Sequence, residues 1–124
     1  MVLAVAAMGI LLASMTGWAA ADPRGKLQIY VIDVEGGQST LFLTSTGQSL
    51  LIDTGWPDHS GRDANRIVAA AREAGIRRID FVLLTHFHVD HVGGVPQLVA
   101  HIPVGAFIDH GPNRETTDAA TEDG

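Results

Sequence analysis

The stretch Thr85-His86-Phe87-His88-Val89-Asp90-His91, followed by Val92-Gly93-Gly94, holds three of the chain's six histidines and a carboxylate. It grows out of IDFVLLT (residues 79–85), a short apolar run that is apolar on both sides from Phe81 to Leu84. That is how a strand buried on both faces reads. In an extended segment, side chains two residues apart point the same way, so His86 and His88 could grip one ion from one side. Asp90 and His91 follow as the chain bends toward a helix, where they could serve a second ion or a bound water. Imidazole and carboxylate donors without thiolate suit zinc, with iron or manganese as alternatives. Two ions about 3.5–4 Å apart can bridge a hydroxide and bring its pKa toward neutrality, ready to attack a carbonyl or a phosphorus. As packing residues, four clustered polar groups would each need a buried partner. Metal binding is therefore the reading this segment supports. Gly93-Gly94 lets the backbone turn tightly beneath it.

Upstream, LQIYVIDV (residues 27–34) reads as a buried strand, broken by Glu35-Gly36-Gly37-Gln38. STLFLT (39–44) and SLLID (49–53) read as two further strands joined by a short glycine-containing turn, a hairpin. Ser60 and Asp63 have the spacing of a capping box. Ala64, Ile67, Val68, Ala71 and Ala74 then mark one helical face, and Gly75 suits its C-terminal end. Downstream, residues 96–101 predict a short helix and VGAFID (104–109) another strand, before a polar, acidic tail. Strands first, then helix–strand–helix–strand, predict an α/β layered fold. Asp33, Asp53, the histidine cluster and Asp109 all stand at strand ends, where functional groups gather.

At 124 residues the chain is at most one domain. Residues 1–21 carry no charge and include VLAVAAMGILLA, with Ala19-x-Ala21 as a small-residue cleavage site before Asp22. The expectation is a signal peptide over 1–21 and a secreted or periplasmic chain from 22 to 124, although no Lys or Arg precedes the apolar run. The alternative is a membrane anchor formed by residues 1–21. If the signal is cleaved, no stable membrane association is expected. The absence of cysteine excludes disulfides and thiolate ligands, and a net charge of −6 without a basic cluster argues against a general pull on nucleic acid.

His86-x-His88-x-Asp90-His91 resembles the H-x-H-x-D-H signature of the metallo-β-lactamase-fold hydrolases. Leu51-Ile52-Asp53-Thr54-Gly55 is similar to the family's "LIDTG" element. Residues 32–39, IDVEGGQS, resemble the "DVGQGD" segment of the branch that includes ComEC-like DNA-uptake proteins, with Glu35 where that branch often has glycine. The resemblance implies an αββα sandwich and two metal ions, zinc being expected. His86 and His88 would hold the first ion and Asp90 and His91 the second, with Asp90 also orienting the attacking water. Asp53 would support the ligands through hydrogen bonds; as a lone residue it also reads as a turn former before Gly55. His88 favours the hydrolytic branch over a di-iron redox branch, which commonly has glutamate there.

The resemblance further implies a third histidine, a bridging aspartate and a final histidine from the later half of a domain of roughly 200 residues, within the usual domain range. After His91 the remaining histidines are His101, read as a helix surface residue, and His110. His110 reads either as an exposed turn residue or as a group on the substrate side. The expectation is thus the N-terminal half of a sandwich, with an exposed sheet face open to self-association. As a whole protein it would be a metal-dependent hydrolase of an ester, lactone, lactam, thioester or phosphodiester. Its substrate would be a small molecule or a phosphodiester. The alternative is a non-catalytic chain, or a metal-binding or assembly module, that needs a second half.

Overall fold

A computed structural model describes residues 25–57 and 59–113. The apolar stretch 1–21 and the tail from residue 114 lie outside the described residues. Among the described residues no helix is long and apolar enough to cross a membrane.

Five strands form one sheet in chain order: β1 (Gln28–Val31), β2 (Thr40–Leu43), β3 (Ser49–Ile52), β4 (Ile79–Leu83) and β5 (Val104–Ile108). β1, β2 and β3 pair antiparallel, whereas β3–β4 and β4–β5 are parallel. The β2–β3 turn closes with Thr44 accepting from Gly47 N at 3.0 Å and Gln48 accepting from Thr44 N at 2.9 Å. Gly47 there has φ 87°, which a side chain would resist. Parallel pairs need crossovers. α1 (Arg62–Glu73) supplies the first, and α2 (Val89–Val92) with α3 (Val95–His101) supplies the second.

The helices cover one face of the sheet. Leu41, Leu51 and Val82 lie opposite one another across β2, β3 and β4 and are fully buried. They pack in one cluster with Ala64, Ile67, Val68 and Ala71 of α1 and Leu98 of α3. The helical face read from the sequence is the buried face, and Gly75 follows the helix with φ 75° as a left-handed terminus requires.

Three expectations are corrected. β1 is not buried: it is an edge strand, and Ile29 and Val31 are 54% and 84% exposed. β4 is buried on one face only, because Phe81 remains 42% exposed on the other. The register explains both. Ile29, Phe42, Leu50, Phe81 and Ala106 form one row across the sheet, on the face the helices do not cover. Val31, Thr40, Ile52, Leu83 and Ile108 form the next row on the same face. The third correction concerns the start of α1. Ser60 makes no cap; Gly61 stands at the N-cap with φ 72° and no side-chain cap bond. Asp63 is taken inward, accepting from Trp56 N at 2.9 Å and from Arg62 Nε at 2.6 Å.

Candidate metal centre

The histidine segment leaves the sheet at Leu84, whose N–H donates to Ile108 O at 2.8 Å. Residues 85–88 run without regular structure to His88, which is extended at φ −64° and ψ 147° and opens α2. The single turn of α2 carries Asp90 and His91. Both His91 N and Val92 N donate to His88 O at 3.0 Å, so the turn tightens around that carbonyl.

Two loops hold this turn by backbone bonds. Gln38 N donates to Asp90 O at 3.2 Å, and Thr54 N donates to His91 O at 2.7 Å. Thr54 Oγ1 donates to the same His91 oxygen at 3.0 Å. The loops also hold each other, with Gly55 N donating to Gln38 O at 3.1 Å and Gly94 N to Gly55 O at 3.0 Å. This close approach explains two glycines. A Cβ at Gly37 would fall on the Asp90 carbonyl, and one at Gly94 would fall on the Thr54 carbonyl.

The side chains converge above this lacing. The His86 ring lies 4.7 Å from the His88 ring and 3.9 Å from the His91 ring, centroid to centroid. His91 Nε2 stands 3.5 Å from Asp90 Oδ2. Beneath them Asp53 is completely buried, with a left-handed φ of 57°. Its Oδ2 lies 2.8 Å from His91 Nδ1 and accepts from Thr85 Oγ1 at 2.7 Å. Its Oδ1 accepts from Thr85 N at 2.8 Å. Asp53 therefore meets the histidine segment at three points, through a backbone amide, a hydroxyl and a ring nitrogen.

The remaining candidates lie at the margins. His110 is exposed, with its ring 5.2 Å from that of Phe87, and Asp109 Oδ1 accepts from Gly111 N at 2.7 Å in the turn beside it. His101 is exposed on the last turn of α3. Asp33 is exposed and pairs with Arg66 at 3.4 Å. Glu35, at φ 55°, bridges Arg62 at 2.7 Å and Arg66 at 3.0 Å, tying the 34–38 loop to α1. The hydrogen bond that Arg62 donates to Asp63, with the charges of Asp63, Glu35 and Asp33, raises the Arg62 guanidinium above its ordinary pKa. Neither the Glu35 bridge nor Thr85 was singled out from the sequence. The readable signal for Thr85 was a hydroxyl residue at a strand end, next to the first histidine.

The donor chemistry suits a borderline cation such as zinc: imidazole nitrogens and a carboxylate, one imidazole backed by a buried carboxylate. Among the described residues no three His, Cys, Asp or Glu side chains are grouped so that they could hold a metal ion. The residues fit one wall of such a site.

An atrochrysone carboxyl ACP thioesterase from Aspergillus chevalieri is 35% identical over 89 residues, 66% of this chain and 26% of that protein. A hydroxyacylglutathione hydrolase from Stenotrophomonas maltophilia is 37% identical over 82 residues, 66% of this chain and 28% of that protein. A motif mutant of a metallo-beta-lactamase from Cronobacter sakazakii has a TM-score of 0.47 and 28% identity, covering 60% of this chain and 28% of that one. The matched stretch thus spans about a quarter of the length of these relatives. The family model of the metallo-beta-lactamase superfamily matches residues 33–123, and the chain belongs to that superfamily.

Proposed function

We propose that this chain contributes one wall of a dinuclear, zinc-dependent hydrolase centre. The observation that carries it is the convergence of the His86, His88 and His91 rings beside Asp90, over a buried Asp53 that engages His91 Nδ1. His86 and His88 would hold one ion, and Asp90 and His91 the other. When bound, such ions act as Lewis acids and lower the pKa of a coordinated water toward neutrality. Asp90 would also orient the attacking water. Asp53 holds the His91 ring so that Nε2 faces the site. His110, whose ring lies 5.2 Å from that of Phe87, would stand on the substrate side.

The relatives' activities favour acyl substrates, since one is a thioesterase and another a hydroxyacylglutathione hydrolase. A phosphodiester is the alternative, supported by the likeness of residues 32–39 to the DNA-uptake branch. The pattern of residues 1–21 supports export, with the signal removed before Asp22. A second reading, a metal-binding or assembly module without turnover of its own, is favoured by the incomplete shell among the described residues.

The test is hydrolysis of an acyl thioester and a phosphodiester probe with added zinc, using the longest natural form of the protein. Thioester turnover that falls by about 10²–10⁴-fold in Asp90→Ala is expected. Metal-dependent turnover unchanged by that substitution would contradict the role given to Asp90.

A further inference from the structure

We infer that Thr85 is a positioning residue that sets the ring tautomer of His86. The inference deepens the metal-centre reading and rests on it for its purpose, though not for its geometry. Thr85 Oγ1 has one proton. The shortest contact of that oxygen is with Asp53 Oδ2 at 2.7 Å, and a carboxylate only accepts, so the proton is directed there. The same oxygen lies 3.0 Å from His86 Nδ1. With its proton committed, the hydroxyl can only accept from that nitrogen, so His86 must carry its hydrogen on Nδ1. His91 follows the same logic directly: its Nδ1 faces Asp53 Oδ2 at 2.8 Å and must donate. A longer contact of 3.4 Å between Thr85 Oγ1 and His91 Nδ1 is consistent with that same ring proton.

One buried carboxylate therefore orients two histidines, His91 by contact and His86 through the Thr85 hydroxyl. Both rings then carry a lone pair on Nε2, the form a cation requires, with His91 Nε2 standing 3.5 Å from Asp90 Oδ2. The Thr85 backbone amide is held separately by Asp53 Oδ1 at 2.8 Å, so the side chain can be changed while the backbone anchor stays.

The experiment compares the metal-free wild-type chain with Thr85→Val and Thr85→Ser, all labelled with ¹⁵N. Imidazole nitrogen shifts report which nitrogen bears hydrogen. The wild type and Thr85→Ser should show Nδ1–H on His86 and His91. Thr85→Val should move His86 toward the Nε2–H form while His91 stays. Zinc affinity should fall about 10–100-fold in Thr85→Val and recover in Thr85→Ser. An Nε2–H tautomer at His86 in the wild type overturns the inference, even if Thr85→Val does not fold. An unchanged His86 tautomer in folded Thr85→Val also overturns it. A wild-type chain with both Nδ1–H tautomers and no affinity for zinc overturns the metal-centre reading instead, and the tautomer shift alone then decides the role of Thr85.

Discussion

Asp53 is the residue on which most of the site depends. It is completely buried, at the end of a strand, in a backbone conformation that costs a non-glycine residue about 1–3 kcal/mol. The cost is offset because its carboxylate accepts from Thr85 N and Thr85 Oγ1 and lies in hydrogen-bond contact with His91 Nδ1. Asp53→Ala would leave these donors without a partner and should destabilise the fold by about 1–3 kcal/mol per lost buried bond. Chemical denaturation measures this; a loss below 0.5 kcal/mol, of the order expected for an ordinary surface change, would show that Asp53 carries no structural weight. The gathering of three histidines and an aspartate was legible in the sequence, and the structure brings the three rings together. Asp53 was legible only through a familiar neighbourhood, Leu51 to Gly55. Its partner Thr85 carried only the signal of a hydroxyl at a strand end, which announces no direction until the fold places a carboxylate beneath it.

At the scale of elements, the turn that carries Asp90 and His91 is held by two neighbouring loops. Gln38 and Thr54 donate backbone bonds to Asp90 and His91, and both loops come close enough to exclude side chains at Gly37 and Gly94. Gly94→Ala would press a methyl group onto the Thr54 carbonyl and should cost about 1–3 kcal/mol. It should also weaken zinc binding, by moving His91 relative to Thr54. Equal stability and equal zinc affinity in the variant would contradict the lacing. α1 was readable because its apolar positions repeat with the helical period and Gly75 ends it. Its start was misread because the Asp63 carboxylate answers to Trp56, which the chain brings back across the loop, and to the adjacent Arg62 side chain. β1 and β4 were misread for another reason. An apolar run records that a strand has two apolar faces, and it says nothing about what covers them.

At the scale of the molecule, helices cover one face of the sheet, and Ile29, Val31, Phe81 and Ile108 are exposed on the other. Patches of this kind mark association surfaces, and the edge strand β1 adds unpaired backbone groups. We therefore expect the chain as given to self-associate with rising concentration. Ile29→Lys with Val31→Lys should shift it toward monomer in sedimentation velocity, with a stability change of no more than about 0.5 kcal/mol for each exposed site. A wild-type chain that stays monomeric at every concentration would contradict this. The same geometry bears on the proposed metal site, because its four proposed donors lie within residues 86–91 and among the described residues no three such side chains are grouped to hold an ion. The most direct test of that claim is a calorimetric titration of zinc into the chain beside its His86→Ala/His88→Ala variant. One wall of a site predicts weak binding in the first and none in the second. Identical binding in both, or two tightly held ions with turnover by the chain alone, would contradict it.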